Sequence, residues 1–449
     1  MNSPLPGNTY ELHSLPNGLR VVVAELPEAL SASCGLYLAA GSRYERAEVA
    51  GLFHFLEHMV FKGTAKRPSA EEVSGAIEGV GGYLNASTGQ EVTLFYAKVP
   101  YLHLELVLDV LADLVLNPLL REDDFEKEKR VILEELHGIL DTPEELVHVL
   151  SQRLAWGDHP LGWEVIGTPE SLEGLDLETV RQHIRQFYGP DRCVVAVAGQ
   201  VRSEQAVRAV EQHLGSWQPV GERAFLEAPP WPLGPRLRVE HRNTEQAQIC
   251  LVLPGLRRDH PDRYVLSMIH AILGEGMSSR LFLEIRERRG LAYNVTSFGD
   301  SYQDGGTFGL YAGVNPGQAL AAVKALVGEW VRLREERVSP AELERARRLL
   351  EGRLLLSLEN SSVVAGWFGQ QVLLQKEIRT LDEVLDILDA IDQDAIWRVA
   401  QGLIRLPWTT LTVVGPFADE APFADCLAEC CDEPTGRAGP ARGGTSPEV

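Results

Sequence analysis

The sequence predicts an α+β protein made of two related halves, each a mainly antiparallel sheet with helices laid against one face. Three observations carry this expectation. Apolar, β-branched runs come with hairpin spacing, as at 18–24 and 32–39. Long amphipathic stretches of helical period lie between such runs. The third observation is a single long internal repeat. Ala-Ser-Cys-Gly-Leu-Tyr-Leu at 32–38 is echoed by Ala-Gln-Ile-Cys-Leu-Val-Leu at 247–253, an offset of 215. An apolar helix follows each copy, at 51–60 and 264–273, offset by 213. Each half closes on a β-branched strand, at 194–199 and 411–415, whose final glycines are 216 apart. Landmarks that agree within three positions mark a duplication.

Taken in order, these elements divide the chain into an N-terminal domain at 1–218, a linker at 219–235 and a C-terminal domain at 236–417. The linker holds Pro219, Pro229, Pro230, Pro232 and Pro235, a density that forbids helix and favours an extended connector. After Gly415 the periodicity fades, and residues 435–449 are rich in Gly, Pro and Ser with almost nothing to bury. A disordered tail is expected over 418–449.

Composition narrows the functional classes. A chain of 449 residues, 45% of them hydrophobic, exceeds what one core usually organises. The net charge of −22 argues against a nucleic-acid partner, which asks for a basic surface to replace phosphate counterions. No apolar run approaches the roughly 18 residues of a membrane helix, and the first residues have neither a basic nor an apolar signal region. A cytoplasmic protein with no membrane partner is expected. Six cysteines are too few for a disulfide framework, and Cys34, Cys193 and Cys250 sit in strand-like runs where thiols pack as small hydrophobes. Cys426, Cys430 and Cys431 form the one cluster, without the second pair or nearby histidine that a structural zinc site requires.

The chemistry is concentrated at 51–60, Gly-Leu-Phe-His-Phe-Leu-Glu-His-Met-Val. On a helix His54 and His58 lie about one turn apart on one face, and Glu57 lies about 60° from His54. Two imidazoles at i and i+4 can share a tetrahedral zinc, and a carboxylate beside them can take a proton from water. His-x-x-Glu-His is the inverted zincin signature. A third protein ligand is needed, and the acid-rich helix around 125–136 offers Glu128, Glu134 and Glu135. Glu128 and Glu135 are about 20° from eclipsed, whereas Glu134 points about 100° away from Glu135, the direction of a solvated face. If Glu135 is the ligand, Glu128 stands on the same face one heptad earlier, able to orient a ligand from behind. No spacing couples His137, His148 or His159 to His54.

These residues carry a resemblance to the pitrilysin family of zinc metallopeptidases, which includes insulin-degrading enzyme and the mitochondrial processing peptidases. In that family a glutamate ligand follows His-x-x-Glu-His after about 76 residues. Here 76 residues lie between His58 and Glu135, which selects Glu135 over its neighbour. The resemblance implies one zinc per chain on His54, His58 and Glu135, with Glu57 as the catalytic base. The family's Gly-Gly-x-x-Asn-Ala segment appears as Gly81 to Ala86, implying a strand whose edge pairs through Asn85 and Ala86 with an extended substrate.

Carried to the second half by the 213 offset, His54, Glu57 and His58 land on Ser267, His270 and Ala271, so one zinc site is expected. That half keeps Arg286 and Tyr293, which resemble the family's Arg/Tyr pair spaced by seven. A guanidinium and a phenol can hold a substrate backbone and stabilise a developing oxyanion. Together these features imply a zinc endopeptidase for unfolded peptides. The family encloses substrate in a clamshell of four such domains, which implies a homodimer for a two-domain chain. A hetero-oligomer with a paralogue, or a non-catalytic peptide-binding subunit, is the alternative.

Overall fold

The computed structural model describes residues 5–431, which form two compact units. One takes the chain up to His137, Trp163–Leu226 and Arg353–Val384; the other takes Gly138–Gly162, Glu227–Gly352 and the chain from Leu385 on. The first unit holds β1 (Glu11–Ser14), β2 (Arg20–Glu25), β3 (Ser31–Leu38), β4 (Tyr83–Thr88), β5 (Thr93–Pro100) and β6 (Cys193–Gly199), in the order β1-β2-β6-β3-β5-β4. The second holds β7 (Arg236–His241), β8 (Ala247–Pro254), β9 (Ala292–Phe298), β10 (Thr307–Val314) and β11 (Thr410–Gly415), in the order β7-β11-β8-β10-β9. Neighbours are antiparallel except β2 with β6 and β7 with β11, which are parallel.

The second sheet therefore repeats five strands of the first, and β1 is an addition. The repeat extends to the register. Arg20 pairs with Val194 and Arg236 with Thr410, the same pairing displaced by 216 positions. The fold is α+β, with mainly antiparallel sheets covered by helices.

One expectation is corrected by burial. β3 has a single residue that is not fully buried, and β6, β8, β10 and β11 are buried along their whole length, so the central strands of each sheet are covered on both faces rather than one. The additional cover comes from an exchange of helices. In the first unit the helix Ser361–Leu374, from the C-terminal half of the chain, packs on β2, β3 and β6. Ser33 Oγ lies 2.8 Å from Ser361 Oγ, and Arg20 donates to the Val372 carbonyl at 2.6 Å. In the second unit the helix Pro143–Trp156, from the N-terminal half, packs on β8 and β11, where Leu146 and Val147 join Cys250, Tyr311 and Val414 in one core. The compact units therefore differ from the contiguous spans 1–218 and 236–417. An apolar stripe tells that a helix is covered, not which sheet covers it. The proline-rich stretch 219–235 carries no helix or strand, and the boundary at Leu226/Glu227 falls inside it.

The expectation of disorder from 418 is also corrected over part of its length. Ala421–Cys431 is a helix that packs on the helix Ala319–Glu335, burying Phe423, Cys426, Leu427 and Cys431. Phe423 and Leu427, spaced by four, form a stripe that composition averaged over the whole tail conceals. The rest of that span, from 432 on, lies outside the described residues. Among the described residues no helix is long and apolar enough to cross a membrane. Cys34, Cys193 and Cys250 are buried in β3, β6 and β8.

Candidate metal centre

The helix Leu52–Val60 presents a fully buried apolar face of Leu52, Phe53, Phe55, Leu56, Met59 and Val60, which leaves His54, Glu57 and His58 on the remaining side. Its start is held by a residue outside the zincin motif. Glu45, buried, accepts the Gly51 N–H and the Phe53 N–H, each at 2.7 Å, and so satisfies amides that a helix start leaves unpaired. Gly51 sits at φ +92°, and a Cβ there would lie 2.3 Å from the Ile166 carbonyl oxygen. Since backbone on both sides must give way, Gly51→Ala is expected to cost about 2–4 kcal/mol and to weaken metal binding; denaturant unfolding with and without zinc measures both.

The helix Glu122–Asp141 begins with Glu122, Asp123 and Asp124, which suit the positive end of the helix dipole. Its buried face is Phe125, Glu128, Ile132 and Leu136, at helical spacing. Phe125 packs against Phe55 with ring centroids 4.8 Å apart, locking this helix to the histidine helix. Glu135 is then carried to the two histidines. His54 Nε2 lies 3.7 Å from Glu135 Oε1, and His58 Nε2 lies 3.6 Å from Glu135 Oε2. One donor atom from each of the three residues falls within 4.8 Å of the others. The two distances to Glu135 are too long for hydrogen bonds and close to the roughly 3.3 Å edge of a tetrahedron with zinc bond lengths.

The donor set fits a zinc ion. Burial, followed by the neighbouring His58, lowers the His54 pKa to about 4, which keeps that ring neutral with a lone pair to offer. His58 Nδ1 lies 3.1 Å from Glu128 Oε2, so Nδ1 carries the proton and Nε2 is free to coordinate. Glu128 thus stands behind His58. The other Glu128 oxygen meets Lys62 Nζ at 2.7 Å. Lys62 was not found by sequence reasoning, although its place four residues after His58 was the available signal. Removing it leaves Glu128 buried without a cation. Lys62→Met is expected to weaken zinc binding about 10–100-fold, as measured by chelator competition.

Glu57 points to the same side and accepts a hydrogen bond from Thr88 Oγ1 at 2.5 Å. Burial raises its pKa above the usual carboxylate range, against the lowering effect of Thr88. Thr88 ends β4, an edge strand of its sheet, and the same strand carries Asn85 and Ala86. Asn85 Oδ1 accepts the Ala86 N–H at 2.8 Å.

Arg286 and Tyr293 belong to the second unit and lie together. Arg286 Nη1 donates to the Tyr293 carbonyl at 2.9 Å, and its guanidinium carbon is 4.8 Å from the ring centroids of both Phe282 and Tyr293. The segment Phe282–Arg288 is wound as a π-helix, a rare geometry. The Tyr293 residue is 74% exposed. At the positions equivalent to His54, Glu57 and His58, the helix Arg263–Gly274 carries Ser267, His270 and Ala271, and His270 Nδ1 is occupied by Ser297 Oγ at 3.1 Å.

Comparison with known proteins gives two family-model matches. Residues 20–169 match the family model described as Insulinase (Peptidase family M16), and residues 174–350 match the Peptidase M16 inactive domain. An uncharacterized zinc protease of Bacillus subtilis is 36% identical over 404 residues, covering 90% of this chain and 98% of that protein. The chain belongs to the M16 peptidase family. Among further M16 relatives, an uncharacterized zinc protease of Streptomyces coelicolor is 37% identical over 92% of this chain and 91% of its own. A protein of Arabidopsis thaliana named "Probable mitochondrial-processing peptidase subunit beta, mitochondrial" is 31% identical over 90% of this chain and 78% of its own. The crystal structure of a protease from Helicobacter pylori superposes with a TM-score of 0.85 at 26% identity, covering 91% of this chain and 99% of that one. The M16 fold and the names of these relatives together put the chain in a family of zinc proteases.

Proposed function

We propose that the chain is a zinc-dependent endopeptidase that cleaves extended, unfolded peptides. The observation that carries this reading is the convergence of His54, His58 and Glu135 donor atoms within 4.8 Å, with the Glu57 carboxylate on the same helix. Zinc held by these three residues, one per chain, would supply the Lewis acidity that polarises water and the scissile carbonyl. Glu57 then accepts the proton of the attacking water and returns it to the leaving amine. The hydrogen bond from Thr88 occupies one Glu57 oxygen and leaves the other for that proton. Glu128 and Lys62 keep His58 oriented. Asn85 and Ala86 pair with the substrate, whose strand displaces the Asn85 side chain from the Ala86 N–H. Arg286 and Tyr293 hold the substrate backbone and oppose oxyanion charge. In this reading the working form is a homodimer.

Metal analysis together with cleavage of a quenched peptide tests the proposal. About one zinc per chain and chelator-sensitive turnover are expected. Zinc without turnover, restored by adding a paralogous protein, would instead support a partner-dependent subunit, and light scattering of the isolated chain reads its oligomeric state. The pH profile tests the base. Glu57 must be ionised to accept the proton, so kcat/KM rises with pH through its pKa. The Thr88 hydrogen bond favours the ionised form, and Thr88→Val is therefore expected to move the acidic limb to higher pH.

A further inference from the structure

The helix Ala421–Cys431 contains a pair of thiols that the proposed peptidase chemistry does not use. Cys426 and Cys430 are four residues apart and so share one helix face, a turn apart. Cys426 is buried, with Sγ 3.9 Å from the Leu320 carbonyl on the helix Ala319–Glu335, while Cys430 is half-buried. Their side chains project from successive turns of that face. Lys324, tied to Glu429 at 2.7 Å, adds a positive charge that acts on both.

We propose that Cys426 and Cys430 form a peroxide-oxidisable dithiol, in which Cys430 is the attacking thiol and Cys426 the resolving one. The neighbouring Cys426 thiol and, against the opposing effects of burial and Glu429, the Lys324 ammonium hold the Cys430 pKa below the ordinary thiol range, and Cys426 is raised in turn. By contrast, burial raises Cys34 to about 12 and holds Cys193 and Cys250 well above the ordinary thiol range. One cysteine of the described chain thus combines access, thiolate character and a neighbouring thiol, the combination that redox-sensitive cysteines share.

The steps balance without any further reactant. The Cys430 thiolate attacks one oxygen of hydrogen peroxide; the O–O bond breaks, and hydroxide leaves and takes a proton as water. The resulting Cys430 sulfenic acid is attacked by the Cys426 sulfur as that thiol gives up its proton. The S–S bond forms, the S–O bond breaks, and the second hydroxide leaves as water. Two thiols lose two electrons in all, and the peroxide is reduced to two waters.

Helix geometry sets the character of the product. Four residues of helix separate the Cα atoms by about 6 Å, inside the disulfide window of roughly 4.4–6.8 Å. The Cβ atoms of a straight helix, about 5–6 Å apart, exceed the roughly 3.8 Å a disulfide needs. Closure therefore draws in the turn that carries Cys430, and the strained bond is readily reduced. Because Phe423 and Leu427 dock the same helix, its seating on Ala319–Glu335 becomes redox-dependent.

The test uses the full chain treated with hydrogen peroxide, followed by intact mass and thiol titration after denaturation. Two of the six thiols are expected to disappear with a mass loss of about 2 Da, reversed by dithiothreitol. In the untreated native protein Cys430→Ser should slow iodoacetamide labelling about tenfold, and with peroxide it should abolish the mass loss. Cys426→Ser should keep fast labelling and accumulate a sulfenic acid at Cys430 that dimedone traps. Retention of all six thiols, oxidation of Cys430 straight to sulfinic acid in the otherwise unaltered chain, or a mass loss that survives Cys430→Ser would each overturn the proposal.

Discussion

Glu57→Gln is expected to lower kcat by about 10³–10⁴-fold while leaving close to one zinc per chain. The substitution keeps the shape of the side chain and an oxygen to accept the Thr88 hydrogen bond, so the helix Leu52–Val60 and its buried face are undisturbed. An amide cannot take the proton of the attacking water, and the same group cannot then deliver it to the leaving amine. Both halves of the proton transfer fail at one atom, which places the loss in kcat rather than KM. Zinc content stays because Glu57 lies outside the His54, His58 and Glu135 group. Metal analysis and peptide kinetics on the same preparation separate the two effects. A Glu57→Gln protein that cleaves at the rate of the unaltered chain would show that another group is the base.

The second large effect concerns which glutamate binds. Glu135→Ala is expected to weaken zinc binding by more than the 10–100-fold assigned to Lys62→Met, and to abolish turnover at limiting zinc. The neighbouring change Glu134→Ala should leave both unchanged. Both residues are exposed, so burial does not distinguish them. Their directions do, because on the helix Glu122–Asp141 they diverge by about 100° and Glu135 alone of the two joins the histidines. Equal zinc loss in the two variants would mean that the helix register assigned to this site is wrong. Competition with a chromogenic chelator gives the affinities, and circular dichroism confirms that each variant keeps its helix content.

The candidate site was legible to different depths. His54, Glu57 and His58 lie within one and a half turns, so helical period alone brings them to one side. Choosing Glu135 over Glu134 needed the family spacing, because two adjacent glutamates differ in sequence only by position. Lys62 escaped for another reason. A lysine one turn after His58 reads as a solvated cation, and its role appears only when Glu128, 66 positions later, is folded against it. Glu45 left no signal at all, because its carboxylate acts on main-chain amides of the next helix.

By itself the sequence determined what depends on short-range period and on repetition: the strands and helices, the duplication with offsets of 215 and 216, and which copy carries His-x-x-Glu-His. Only the tertiary structure decided which surfaces meet. It set Ser361–Leu374 on the first sheet and Pro143–Trp156 on the second, stood Lys62 and Glu128 behind His58, and seated the cysteine-bearing helix. The physical reason is that hydrophobic burial is non-directional. An apolar stripe states that a face will be covered, and the choice of cover comes from shape, register and polar pairing between segments far apart in the chain.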